Sequence, residues 1–368
     1  MPRTALIFGL LILMSCGYRG EITLDKAAAS VGKVEQVFIG TTRARDADGG
    51  FGTHRSEQVQ FARYDISVPP LRKLGEIDWP RRGTPGDPQT EFLTTDAEVY
   101  PEVAAFRADL RRQLAAKNGE AVIFIHGYNT NFAEGLYRVA QFTHDLELPG
   151  VAVQYAWPSA AEALGYAYDR DSALFAREGL ERLIHEVGAA GAKRILLVAH
   201  SLGAGLTMEA LRSAAIRGDK KTLALIGGVI LISPDIDVEV FREQAQAVGT
   251  LPQPFVIFGS DRDKLLRLSA MLTGQEARLG SLSDVSRLAD LKVTFADVSS
   301  FSTGSGHFVV GDSAALIRLF DRIGDIQTAF EADRRSRLSL LSGVILTVQN
   351  ATQIILTPIG RVATQFTR

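Results

Sequence analysis

An open, doubly wound α/β sheet, mostly parallel and carrying extra N-terminal strands, is the fold class this sequence predicts. Three observations lead there: short apolar runs recur along the chain, stretches of helical spacing separate them, and small or polar residues gather where each run stops. The runs are "AVIFIHG" (121–127), "VAVQYAW" (151–157), "RILLVAH" (194–200), "GGVILIS" (227–233), "PFVIFGS" (254–260) and "KVTFADVS" (292–299). They are nearly continuous rather than alternating, as expected of strands buried on both faces. The helical stretches are 133–146, 172–187, 202–217 and 313–330. Strand alternating with helix implies parallel pairing through right-handed crossovers.

Ahead of this core, "VEQVFIGTTR" (34–43) and "QVQFARYDISVP" (58–69) are rich in β-branched and aromatic residues and read as strands. "DADGGFG" (46–52) supplies the turn between them. "WPRRGTPGDPQTEF" (79–92) is crowded with glycine and proline and reads as a loop. The polar stretch 17–33 is expected to be a tether, 34–335 the α/β domain and 336–368 an apolar tail. Within that tail, "LSLLSGVILTVQNATQIILTPIG" (338–360) has no charge, yet holds too many polar residues for a membrane-spanning helix. Two readings are open for it: an amphipathic segment on a membrane or partner, or a helix packed on its own domain. Core packing is the commoner use of an apolar stripe, which favours the second.

With 368 residues, 46% of them hydrophobic, the chain can bury a large core. A net charge of -2 gives no basic footprint for nucleic acid. A single cysteine excludes disulfide and zinc frameworks. That cysteine ends "MPRTALIFGLLILMSC", in which Arg3 precedes an apolar run, 5–14, too short to span a bilayer. The pattern is that of a signal peptide. Leu13-Met14-Ser15-Cys16 resembles a bacterial lipobox, although methionine is unusual at its second position. The resemblance implies cleavage before Cys16 and acylation of its sulfur. Since each buried CH₂ adds ~0.8 kcal/mol, several acyl chains would anchor the protein firmly. The expectation is a lipoprotein of the cell envelope, held on a membrane and facing the periplasm; ordinary secretion is the alternative.

In open sheets of this kind ligands bind beyond the carboxyl ends of the strands. "AHSLG" (199–203) fits a nucleophile elbow, with Ala199 in place of the first glycine and small residues where the turn is tightest. Ser201 is the candidate nucleophile, and the Leu202 N–H would face the developing oxyanion. A helix-capping serine is the plainer reading of the same residue. "IFIHGYN" (123–129) follows the first strand of the parallel set, where a second oxyanion donor belongs. The Tyr128 N–H suits that role, with His126 as a structural support of the loop. The order nucleophile, acid, histidine leaves one base, because His307 alone of the six histidines follows Ser201. For the acid, Asp261 and Asp263 end one strand, Asp235 and Asp237 the preceding one. Location does not choose among the four, since aspartates after strands are commonly helix caps.

Taken together these strings resemble a family of bacterial α/β-hydrolases of unassigned role, esterase- or lipase-like. The likeness runs through "VFIGTTR", Phe51-Gly52, "ISVP", "VIFIHGYNTNFAEGLYRVAQFTHDL", "YAWPSAAEALGYAYDRDSALFA", "LVAHSLG", "GSDRDKLLRLSAMLTGQEARLG" and "GHFVV", roughly residues 34–320. It implies Ser201 as nucleophile and His307 as base. The family's S-x-x-D-K element falls on Ser260 to Lys264 and favours Asp263 over Asp261. Leu202 stands where methionine is common. Arg43, Trp157, Tyr166, Tyr168, Asp169 and Arg170 lie in family-typical strings. The aromatic residues Trp157, Tyr166 and Tyr168 are candidates for a pocket wall or lid, ordinary packing being the alternative. The expected activity is hydrolysis of carboxylic esters or related acyl bonds through an acyl-enzyme, with no metal or organic cofactor required. A non-catalytic binding or scaffold lipoprotein is one alternative, an acyltransferase using the same residues another.

Overall fold

The computed structural model describes residues 19–357, apart from 82, 276, 303–305 and 324–342. Cys16 and the signal-like segment before it lie outside the described residues. Among these residues, strands β1 (Lys33–Arg45), β2 (Phe51–Val68), β3 (Leu93–Tyr100), β4 (Glu120–Ile125), β5 (Val151–Ala156), β6 (Arg194–His200), β7 (Ile226–Ile232), β8 (Phe255–Gly259), β9 (Thr294–Asp297), β10 (Gly343–Val348) and β11 (Ala351–Leu356) form one sheet. Its order is β10-β11-β9-β8-β7-β6-β4-β5-β1-β2-β3. From β1 across to β11 the pairs are parallel. Only the flanking pairs β1–β2, β2–β3 and β10–β11 are antiparallel. This is the doubly wound α/β-hydrolase sheet, with the expected extra N-terminal strands at one flank.

Alternation explains why the central runs are apolar throughout. In β4, Ile123 and Ile125 face one layer while Val122 and Phe124 face the other. The first layer is built by helices α1 (Val103–Ala116), α4 (Arg177–Ala189), α5 (Leu202–Ile216) and α7 (Val238–Val248), through residues such as Phe106, Leu183, Met208 and Phe241. The second is built chiefly by α2 (Phe132–Asp145), whose Leu136, Val139 and Phe142 are buried. Each such side chain contributes roughly 1.5–3 kcal/mol by leaving water. Helix α2 starts cleanly because Asn131 and Glu134 form a reciprocal capping box.

Some boundaries differ from those the sequence suggested. The stretch 172–187 is two helices, α3 (Tyr166–Phe175) and α4, parted at Ala176. Further short helices are α6 (Lys220–Leu225), α8 (Lys264–Thr273), α9 (Val309–Asp312) and α10 (Ala314–Ile323). From Arg19 onward the supposed tether is packed on the domain. Thr94 at the edge strand β3 would otherwise leave its backbone groups unpaired; it accepts from the Asp25 N–H at 2.8 Å and donates to the Thr23 carbonyl at 2.9 Å.

Over its described residues, 343–357, the C-terminal stretch is a pair of strands and not the packed helix that the sequence favoured. Two β-branched runs, β10 and β11, form a hairpin that turns at Gln349, where φ is 52°. Strand β11 then pairs with the four-residue β9, burying Ala351, Ile354 and Leu356. No helix of the described residues is long and apolar enough to cross a membrane.

Candidate active site

Strand β6 ends at His200, and the chain turns into α5 through Ser201 at φ 53°, ψ −122°. A non-glycine residue held there costs on the order of 1–3 kcal/mol. The turn is fixed by its neighbours: the Ser201 N–H donates to the Ile232 carbonyl at 3.0 Å, and the Asp235 N–H donates to the Ser201 carbonyl at 3.2 Å. Two glycines are required by the close approach. A Cβ at Gly203 would stand 2.3 Å from the His126 carbonyl oxygen, and one at Gly127 would stand 2.8 Å from the Ser201 Cβ. The side chain of Ser201 makes no capping bond to α5, so the plainer reading of this serine lacks its defining contact.

The loop after β4 is braced from several sides. The His126 ring stacks on Trp157 at 4.8 Å, and the Trp157 indole N–H donates to the His126 carbonyl at 2.7 Å. The Asp169 carboxylate accepts from the Asn129 N–H at 2.9 Å, the Ala160 N–H at 2.7 Å and the Ser159 hydroxyl at 2.7 Å. Burial pushes its pKa up, against those donors. The buried Arg43 guanidinium donates to the Thr130 carbonyl at 2.8 Å and to that of Gly52 at 2.8 Å. Burial lowers its pKa to about 10, opposed by Asp169, so it stays charged near neutrality. Arg19, to which the sequence pointed in no way, grips the same loop. It donates to the Asn129 Oδ1 and carbonyl at 2.8 and 2.9 Å, to the Ala161 carbonyl at 2.8 Å, and to Glu134 at 2.5 and 2.7 Å. Among the described residues, neither the Tyr128 N–H nor the Leu202 N–H is taken by another group.

His307 and Asp263 meet from loops 44 residues apart, with Nδ1 2.8 Å from Oδ2. The fully buried Asp263 divides its carboxylate. Its Oδ1 accepts from the Leu265 and Leu266 N–H groups at 3.0 Å each and caps α8, leaving Oδ2 for the imidazole. A ring that donates Nδ1–H to a carboxylate keeps Nε2 as an acceptor. The imidazole lies against the elbow, its centroid 4.7 Å from that of His200. Burial, reinforced by His307, holds His200 well below the ordinary histidine pKa. The other aspartates are spent elsewhere. Asp261 is exposed, Asp237 caps α7, and Asp235 accepts from the Tyr166 and Ser269 hydroxyls while pairing with Arg278 at 3.0 Å.

A family model described as "Alpha/beta hydrolase of unknown function (DUF900)" matches residues 102–319, more than half of the chain. The protein belongs to this family. No curated protein matches it. Among solved structures, this α/β hydrolase is similar to esterase Est22, at 13% identity over 88% of this chain and 87% of that one, with a TM-score of 0.38. A cutinase-like protein from Cryptococcus sp. matches at 15% identity over 56% of this chain and 95% of its own, with a TM-score of 0.31. Lipase B of Aspergillus fumigatus matches at 16% identity over 38% of this chain, with a TM-score of 0.27. The chain spans only 37% of the length of that lipase. At such values none of these likenesses carries an argument about reaction or substrate.

The aromatic residues of this α/β hydrolase divide. Trp157 is fully buried and braces the His126 loop. Tyr168 stands at the edge of the domain, where its hydroxyl donates to the Thr53 carbonyl at 3.1 Å. Tyr166 alone adjoins the site, packed edge-on against Tyr128 at 5.5 Å. Beside the elbow lies a cavity of about 510 Å³, walled by His126, His200, Phe308, Trp79 and Arg138.

His126 gives the hydrolase a pH signature. Burial, with the Arg43 charge adding, lowers its pKa from 6.5 to about 3. Its ring nitrogens lie 2.9 and 3.0 Å from the Gly127 and Trp157 carbonyl oxygens. Between pH 6.5 and about 3 the unfolded chain binds a proton that the folded one refuses. Stability from this group is therefore complete above pH 6.5 and falls with acidification, by up to about 1.4 kcal/mol per pH unit. Urea unfolding between pH 7 and pH 5 is expected to show that slope lessened by His126→Gln. Parallel slopes in the two proteins would remove His126 as the cause.

Proposed function

We propose that the protein is a serine hydrolase of acyl bonds, with carboxylic esters as its leading substrate class. Ser201 Oγ attacks the carbonyl carbon, and His307 Nε2 takes its proton and returns it to the leaving group. Asp263 orients the imidazole and stabilises its charged form. The Tyr128 and Leu202 N–H groups receive the oxyanion, each such donor typically worth ~2.7–4 kcal/mol in the transition state. Water then attacks the acyl-enzyme, with His307 acting as base.

The observation that carries this reading is the 2.8 Å contact of Asp263 with His307 beside an elbow whose serine hydroxyl caps nothing. A fluorophosphonate probe tests it. Wild type is expected to be labelled and Ser201→Ala to be silent; a folded wild type that takes no label would favour a scaffold. We also propose that Cys16 is acylated, which would anchor the protein on a membrane of the envelope, facing the periplasm. The support is the lipobox-like string alone, and the mass of the mature N-terminus tests it.

A further inference from the structure

Helix α8 turns an apolar face outward. Leu265, Leu268, Met271 and Leu272 are 41, 50, 77 and 65% exposed, while Leu266, Ser269 and Ala270 pack inward. The spacing of the exposed four keeps them on one side of the helix. Leu164, in the loop leading to α3, is 97% exposed. Tyr166 ties that loop to α8, its hydroxyl lying 2.7 Å from Ser269 Oγ. Asp263 caps the helix, so this apolar surface lies one turn from the proposed acid. Exposed Arg262, Lys264 and Arg267 flank the helix, with the carboxylate of exposed Asp261 among them and exposed Glu162 beside Leu164.

We propose that Leu164 and the outer side of α8 seat on a phospholipid bilayer and turn the mouth of the Ser201 site toward it. The course of the chain argues for this occupant. Arg19 is fixed on Asn129, Glu134 and Ala161, and Ala161 belongs to the loop that carries Leu164. Cys16 is three residues before Arg19, which places it within about 11 Å at the reach of an extended chain. An acyl anchor on Cys16, as proposed above, would be held within that reach of Arg19. Exposed apolar residues edged by cations match an anionic lipid interface. A protein partner would account for the apolar residues alone, whereas a bilayer also suits the proposed acylation of Cys16. The substrate class that follows is acyl lipids presented by that bilayer; this part rests on the serine-hydrolase reading, whereas the seating of the surface does not.

Full-length protein is reconstituted in vesicles of phosphatidylethanolamine and phosphatidylglycerol, carrying Leu164→Trp, Met271→Trp or, as a control, Ile216→Trp at the far end of α5. Brominated lipids are expected to quench the added tryptophan at 164 and 271 but not at 216. Equal lack of quenching at all three would overturn the seating and leave a protein partner as the occupant. For the substrate class, Leu268→Asp with Met271→Asp is expected to slow turnover of a long-chain ester held in vesicles by at least about tenfold. A soluble short-chain ester should be cleaved as fast as by wild type. Equal vesicle rates would overturn the lipid-substrate part. A wild type inert on both esters would sink the hydrolase reading, and the quenching result would stand apart from it.

Discussion

Ser201→Ala is expected to lower kcat by on the order of 10⁶-fold while leaving the fold intact. The size follows from the role, since removing a nucleophile leaves only binding and oxyanion stabilisation. The preserved fold follows from the local structure. The Ser201 hydroxyl caps no helix, and alanine accepts the φ of 53° at much the same cost as serine. The turn is kept by backbone bonds to Ile232 and Asp235 that the substitution does not touch. Steady-state rates on p-nitrophenyl esters of rising chain length, beside urea unfolding, check both halves. Activity within tenfold of wild type in a folded variant would end the assignment of Ser201.

Asp263→Asn is expected to cost ~10⁴-fold in kcat at nearly unchanged stability. Asparagine caps a helix about as well as aspartate, so the Leu265 and Leu266 N–H groups keep an acceptor. The loss falls on the other oxygen. An amide NH₂ turned to His307 Nδ1 donates rather than accepts, which puts the ring proton on Nε2 and blocks proton uptake from Ser201. Asp261→Asn, at an exposed side chain, should change the rate little. Kinetics of the two variants side by side decide the matter, and a crippled Asp261→Asn would show that the acid was misassigned.

The central strands were legible because burial on both faces leaves a run with no polar interruption. The elbow was legible because its steric demands, glycine at 203 above all, are written in five consecutive residues. The choice of acid was not, since no local feature shows which of four carboxylates turns toward an imidazole 44 positions away. Resemblance favoured Asp263, and the fold brings that residue to His307. Trp157 left two readings open because an aromatic residue at a strand end suits a pocket wall as well as a buried brace. What separates them is its indole bond to the His126 carbonyl, a long-range fact. Strand β3 escaped notice because half of it is exposed and Asp96 and Glu98 break its apolar pattern. The C-terminal hairpin was harder to read, because its two β-branched runs meet at Gln349-Asn350, a pair without the glycine that usually marks a two-residue turn.

That hairpin alters what the border of the sheet exposes. Strand β9 leads toward the segment bearing His307, and without β11 it would stand at the rim with its outward amides bare. Open rims of that sort are templates on which another molecule can zip itself by backbone bonding. By pairing β11 with β9 the polypeptide moves the open rim outward to β10 and gives β9 a partner on each side, while residues 23–25 meet β3 at Thr94 on the opposite flank. The strand that leads to the proposed base is thereby rooted inside the sheet instead of at its rim.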